Sequence, residues 1–215
     1  MTEDVPFYLQ EARRTGGPVV ELGVGTGRIA IPIACDGIRV IGVDSSAGML
    51  EVCAQHAALA GAELDLRLGD LREPPVDERV PLVIIPFRSL LHLHDDVERR
   101  RALRAVTQLL DADGRFVFDV FSPSREDIEE TNGRWLEREP GIFERADWDE
   151  TARTLTLSVR RGDDRSTMQL AWLGADEWRA LLESEGFVVE ACYGWFDRRP
   201  YAGGEDTIWL ARASQ

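Results

Sequence analysis

Val19-Val20-Glu21-Leu22-Gly23-Val24-Gly25-Thr26-Gly27-Arg28 reads as a strand end running into a tight glycine turn. Val19 and Val20 close an apolar run, and glycine then returns at every second position from Gly23 to Gly27. Ile29-Ala30-Ile31-Pro32-Ile33-Ala34 follows and opens a helix from about Gly27 to Cys35. Without Cβ atoms such a turn bends sharply and lets a ligand approach the backbone. The first N–H groups of a helix lack partners and favour an anionic group in front of them. The spacing departs from G-x-G-x-x-G, whose third small residue would fall at Arg28; here the third glycine comes one residue early, at Gly27. A glycine triplet alone also closes ordinary strand–helix turns, so the surrounding chain has to supply the context.

The chain has 215 residues, 44% of them hydrophobic, which suits one α/β domain with a sizeable core. A net charge of −14 and a pI near 4.7 argue against a broad phosphate-binding face, so nucleic acid is not expected as a partner. Arg99, Arg100, Arg101 and Arg104 cluster, and the ordinary reading of such a cluster is a solvated helix face. Cys35, Cys53 and Cys192 are odd in number and lack metal-ligand spacing, which fits a reducing cytoplasm and no metal. Neither a signal peptide nor an 18-residue apolar run appears, so export and membrane insertion are not expected.

Around the glycine turn, strand and helix patterns alternate. A short amphipathic helix is expected over residues 3–14 and a first strand over Val19 to Leu22. Further strands follow at Arg39 to Val43, Glu63 to Leu68, Leu82 to Ile85 and Arg115 to Val120. Between them lie a helix capped by Ser45 or Ser46 and stopped near Gly61, and one capped by Asp95 or Asp96 that runs through Leu110. This alternation predicts a doubly wound sheet. From Trp135 to Leu173 the pattern changes to short alternating runs, read as an inserted antiparallel β element over residues 134–173. A helix over Asp176 to Glu185 and two final strands, Phe187 to Trp195 and Thr207 to Ala211, close the chain; with no crossover helix between them, those strands pair antiparallel.

With these motifs in order, Glu21 to Arg28 resembles motif I of the class I methyltransferases that use S-adenosylmethionine (SAM). The resemblance covers most of the chain and implies one domain over residues 1–215. It also implies a Rossmann-like seven-stranded sheet of order 3-2-1-4-5-7-6, strand seven antiparallel, with the β element as an insertion that walls the acceptor pocket. SAM is the implied cofactor and S-adenosylhomocysteine the product. Gly23, Val24, Gly25, Thr26 and Gly27 match the turn that admits the methionine part, and Glu21 the acid that meets its amino group. Asp44 with Ser45 matches the ribose-binding end of strand two, and Met49 an apolar residue against adenine. Gly69, Asp70 and Leu71 match the segment that recognises the adenine amine and ring. Pro86, Phe87 and Arg88 match the strand-four end beside the sulfonium. Tyr8 or Phe7 is placed to cover the cofactor, and Arg28 either pairs with its carboxylate or lies on the surface.

A narrower resemblance is to small stand-alone methyltransferases of small molecules, amino sugars and natural-product scaffolds among them. Pro6 to Leu9, Ser89 to Leu93, Phe118 to Phe121 and Tyr193 to Tyr201 carry it. Two departures stand out. The chain begins about 20 residues before the glycine turn, so the longer upstream segment of relatives is expected to be absent. Arg88 also stands where relatives often have Asn.

The expected reaction is methyl transfer to an oxygen or nitrogen of a small-molecule acceptor by a cytoplasmic monomer or homodimer. Such chemistry needs alignment above all, and a base only when the acceptor must lose a proton. His92, after strand four, and Asp119, at the end of strand five, are the candidate catalytic residues; a histidine packed under a lid and a carboxylate pairing with a backbone donor are the plainer alternatives. Trp135, Phe143, Trp148, Trp172, Tyr193, Trp195 and Phe196 offer aromatic surface to an acceptor, or else form core or dimer contacts. Two other functions stay open: a SAM-binding regulator without turnover, and an NAD-linked oxidoreductase, against which the early third glycine and the Gly69-Asp70 pair speak.

Overall fold

The computed structural model describes residues 3–214. Helix α1 (Asp4–Thr15) leads into β1 (Val19–Leu22), the glycine turn and α2 (Ala30–Cys35). There follow β2 (Val40–Asp44), α3 (Ala47–Ala60), β3 (Asp65–Leu68), β4 (Val80–Ile85), a single 3-10 turn over Ser89–His92, α4 (Asp96–Leu109) and β5 (Leu110–Phe121). The strands assemble in the order β3-β2-β1-β4-β5 with every neighbour parallel. Two late strands, β10 (Phe187–Tyr193) and β11 (Asp206–Ala213), complete the sheet; β11 slots antiparallel between β5 and β10. This is the expected seven-stranded order with its antiparallel member.

The central strands are buried on both faces, as their continuous apolar sequence requires: all four residues of β1 are inaccessible, and β4 exposes only Pro81 in part. Two apolar clusters flank the sheet. One gathers Leu103, Phe116, Phe118, Trp178 and Trp209, and the other Phe7, Tyr8, Ile33, Leu82 and Ile84.

The helix starts follow capping chemistry. Ser46 Oγ accepts from Met49 N–H at 3.3 Å at the head of α3, and Asp95 accepts from Glu98 N–H at 2.8 Å at the head of α4. The helix after the glycine turn begins at Ala30, three residues later than expected from Gly27. Gly27 holds φ +85, so residues 26–29 form a turn, and α2 is only six residues long. The expected anion-favouring helix start therefore does not directly adjoin the glycines.

One helix was not foreseen. α5 (Arg125–Thr131) follows β5 and begins with a capping box, Ser124 Oγ accepting from Asp127 N–H at 3.1 Å while the Asp127 carboxylate accepts from Ser124 N–H at 3.1 Å. After it the inserted element is a four-stranded antiparallel meander: β6 (Trp135–Glu139), β7 (Ile142–Asp149), β8 (Thr154–Arg161) and β9 (Asp164–Ala171). Its register aligns Trp148, Leu155 and Leu170 in one cross-strand row. Leu155 and Leu170 join the main core and Trp148 packs against it, so the meander is anchored at one end. α6 (Ala175–Ser184) then buries Trp178, Leu181 and Leu182 and leads into β10.

Candidate cofactor and acceptor site

The carboxyl ends of β1, β2, β3 and β4 open into one cleft of about 510 Å³. Its lining includes Gly23, Gly25, Asp44, Ser45, Met49, Gly69, Asp70, Leu71, Phe87 and His92. Tertiary folding therefore collects ten of the expected site residues on one surface, from four separate loops. Arg72, Ser46, Ser89 and Leu93, which sequence reasoning did not name as site residues, line it as well.

The glycine turn has distinct jobs at its three glycines. Gly25, at φ +54, faces open space, and a Cβ there would project into that space. Gly23 is backed by Ser89: a Cβ would lie 2.9 Å from Ser89 Oγ. Gly27 seats α3, since a Cβ would lie 2.6 Å from Cys53 Sγ. Only Gly25 is thus left bare by the absence of a side chain; the other two permit close packing. Val24 turns its side chain into the core, and the Thr26 backbone carbonyl lies 3.3 Å from His56 Nδ1.

Asp44 ends β2 and braces the turn. Its two oxygens accept from Gly25 N–H and Ser46 N–H, each at 2.8 Å. A carboxylate has about four acceptor positions, so capacity remains. Met49 is 47% exposed at the cleft wall, where an apolar ligand surface would cover it. Asp70 accepts from Arg72 through the backbone N–H (2.8 Å), Nε (2.8 Å) and Nη2 (2.5 Å). This fork holds the Asp70 carboxyl below the usual carboxylate range.

Glu21 is buried, and its Oε2 has no hydrogen-bond partner among the described residues. Burial pushes its carboxyl well above the ordinary value, although the charge of Arg28 pulls the other way. An orphaned buried acceptor beside an open glycine turn suits a cationic amino group.

Arg28 departs from one expectation. Its guanidinium makes a bidentate pair with Asp4 of α1, at 2.7 and 2.6 Å, and lies over the Phe87 ring, 4.9 Å from its centre. It ties α1 to the turn through these partners. Tyr8 likewise does not face the cleft. It is fully buried and donates its hydroxyl to Asp119 at 2.6 Å, while Phe7 packs edge-on against Phe196.

Asp119 is a junction. Besides Tyr8 it accepts from Phe87 N–H at 2.8 Å and Arg88 N–H at 3.2 Å. Phe87 and Arg88 both sit in the left-handed region, at φ 55 and 63, a conformation that costs energy for residues with side chains. Two N–H groups converging on one carboxylate pin that strained bend beyond buried Pro86. Burial raises the Asp119 carboxyl to about 6, partly offset by the Tyr8 and Phe87 hydrogen bonds. Arg88 pairs with Asp206 at 2.8 Å and lies over Phe121, 4.6 Å from the ring centre.

His92, at the end of the 3-10 turn, borders the cleft; partial shielding from water, and then the neighbouring His94, hold its pKa below 6.5. Its base form therefore dominates at neutral pH. The meander lies beside this turn. His94 Nε2 is 3.3 Å from the Gln169 carbonyl of β9, and Trp148 packs edge-on against Phe121 and Trp172. Trp148 also donates to Thr131 Oγ1 at 2.8 Å. Trp135 and Phe143 instead hold Arg160 within 5.2 and 4.8 Å of their ring centres. Tyr193, Trp195 and Phe196 pack around α1. Among the described residues no group of acidic, histidine and cysteine side chains is arranged to hold a metal ion, and no helix is long and apolar enough to cross a membrane.

Residues 19–114 match a family described as methyltransferase domain. A putative methyltransferase of Geobacillus sp. is 29% identical over 118 residues, covering 55% of this chain and 48% of its own length. The chain spans about half the length of the first such curated relatives. Among solved structures, the CcbJ methyltransferase of Streptomyces caelestis superposes with a TM-score of 0.85 at 24% identity, over 99% of this chain and 96% of its own. SAM-bound CalS10 of Micromonospora echinaspora, an amino pentose methyltransferase, reaches 0.70 at 18% identity, over 99% and 90%.

Proposed function

We propose that this chain is a class I SAM-dependent methyltransferase and that it transfers the SAM methyl group to an oxygen or nitrogen of a small-molecule acceptor, a reading supported by the methyltransferase-domain match over residues 19–114 and the shared fold. The observation that carries the cofactor's placement is Glu21 Oε2, buried and without a partner among the described residues, in the strand that runs directly into the glycine turn. Glu21 would accept from the SAM ammonium there. Asp44 offers its remaining acceptor positions to the ribose hydroxyls, Met49 its thioether to the adenine face, and Asp70 its carboxylate to the adenine amine.

When bound, SAM supplies a methyl carbon already activated toward displacement. The chain's part is alignment and exclusion of water, which reach roughly 7–11 kcal/mol in well-held cases. Asp119 acts here by position: it holds the Phe87–Arg88 bend through two backbone N–H groups, and its oxygens face those donors and Tyr8. Of the two candidate bases, His92 is the one that borders the cleft, and it takes a proton from an acceptor that must lose one. The β6–β9 meander walls the acceptor side, since β9 lies against the 3-10 turn and Trp148 against Phe121. A small acceptor is favoured by the net charge of −14, which disfavours a polyanionic one, and by the amino pentose named for CalS10.

Calorimetric titration with SAM and S-adenosylhomocysteine tests the first half, with Asp44→Ala as control. Saturable binding weakened at least about tenfold in the variant is expected, because that carboxylate braces the turn and faces the ligand. A folded protein that binds neither compound overturns the reading. Methyl-labelled SAM offered with fractionated cell extract tests the second half. Label is expected in the low-mass fraction; label confined to macromolecules rejects a small-molecule acceptor.

A further inference from the structure

Arg72 was not marked by any motif, yet it borders the cleft and saturates most of the Asp70 carboxylate. Oδ1 accepts from both the Arg72 backbone N–H and Nε, which fills its two lone-pair positions. Oδ2 accepts from Nη2 and keeps one position. Arg72 is itself held from the far side. Its Nη1 donates to Glu98 Oε1 on α4, and the other Glu98 oxygen accepts from His94 N–H at 3.0 Å. The Glu98 backbone N–H is in turn capped by Asp95. The Asp70 side chain is 41% exposed and that of Arg72 31%, so this fork stands at the rim of the cleft, within reach of a ligand.

We propose that Arg72 sets the purine specificity of the cofactor site, by holding Asp70 as an obligate acceptor with a single lone pair left for the ligand. This rests on the SAM reading above. At pH 7 a freely rotating carboxylate can swing away from a carbonyl that would repel it. A forked one cannot: it accepts from an exocyclic amine and repels a carbonyl oxygen in the same place. Glu98 makes the arrangement stiff, since a guanidinium held at both ends cannot follow the ligand. Arg72 is thus a positioning residue that works through Asp70.

The probes are S-adenosylhomocysteine and S-inosylhomocysteine, which differ by an amine against a carbonyl on the purine. Calorimetry at pH 7 is expected to show the wild type preferring the adenosyl compound by about tenfold or more, the discrimination a hydrogen-bonding site exerts when partly open to water. Arg72→Met should cut that ratio to about threefold or less, chiefly by tightening the inosyl compound relative to the adenosyl one. Arg72→Lys, which cannot fork, should fall between. A ratio unchanged in Arg72→Met, with both affinities altered equally, overturns the inference and leaves the cofactor reading standing. A wild type that binds neither probe removes both. Thermal melts of each variant show whether the fold is kept; because the readout is a ratio measured on one sample, a partly unfolded fraction does not imitate the effect.

Discussion

At Asp119 one side chain serves three elements, and its titration can be read as stability. Burial raises its carboxyl from 3.8 to about 6, so the native state holds that proton more tightly than the unfolded chain. The stabilising contribution is fully present below pH 3.8 and is lost as pH rises through 6. Two units correspond to about 2–3 kcal/mol. The unfolding free energy of the wild type should therefore fall between pH 4 and 6 relative to Asp119→Asn, whose side chain does not titrate. Urea unfolding at several pH values measures this, and parallel curves would refute it. At pH 7 the same variant should still be less stable by about 1–3 kcal/mol, because an amide cannot accept from Tyr8, Phe87 and Arg88 together. His92 gives a second prediction at this scale. His92→Gln should lower turnover by about 100-fold or more while leaving SAM affinity within about threefold, the mark of a base. Equal turnover in the variant would mean that alignment alone suffices.

Among the elements, α1 is the one whose docking its sequence hides. Asp4, Tyr8 and Glu11 recur at helical spacing and share a face, and all three are fully buried. Each meets a partner on a different part of the chain: Arg28 in the glycine turn, Asp119 on β5, and Arg198 before β11. Arg198 also lies over the Phe7 ring, 4.6 Å from its centre. The helix is thus seated by polar pairs set among aromatic rings. Glu11→Leu should destabilise by about 2–3 kcal/mol, since it removes the carboxylate paired with a partly buried guanidinium and leaves Gln10 to accept from it, and Arg198→Met in the same chain should restore part of the loss. Chemical denaturation of the single and double variants measures the coupling; additive losses would show that the pair contributes nothing specific. The expected amphipathic helix over residues 3–14 captured the element but not these buried polar pairs. α5 was missed although Ser124 and Asp127 spell a capping box, because its seven residues carry no apolar period and bury nothing.

For the molecule as a whole, the arginine cluster of α4 is engaged within the chain. Arg100 and Arg104 pair with Glu185, Arg101 with Glu73, and Arg99 is buried, donating to the Ala171 carbonyl at 3.3 Å. The expected solvated face holds for Arg101 and Arg104, while Arg100 is half-buried against Ser184 and Glu185. With these charges paired and a net charge of −14, the protein should not shift duplex DNA or structured RNA in a gel at 150 mM salt. Retention by either would reopen the acceptor class.

The sequence by itself determined the sheet and the positions of its functional loops. Those signals are local: apolar runs of strand length, glycines at spacing two, an acid at the end of β2 and another just past β3, and serine or aspartate at the helix starts. Each can be read within a few residues because backbone geometry and capping act over that range. The tertiary structure alone decided which of those residues face the cleft. Tyr8 and Asp119 lie 111 positions apart, and Arg28 finds Asp4 through a helix packed back onto the turn. Such pairings follow from how elements stack, and a charged or phenolic side chain reads the same whether it meets a ligand or another part of its own chain. Burial, which makes Glu21 an unsatisfied acceptor and turns Asp119 into a clasp, exists only once the layers have closed over them.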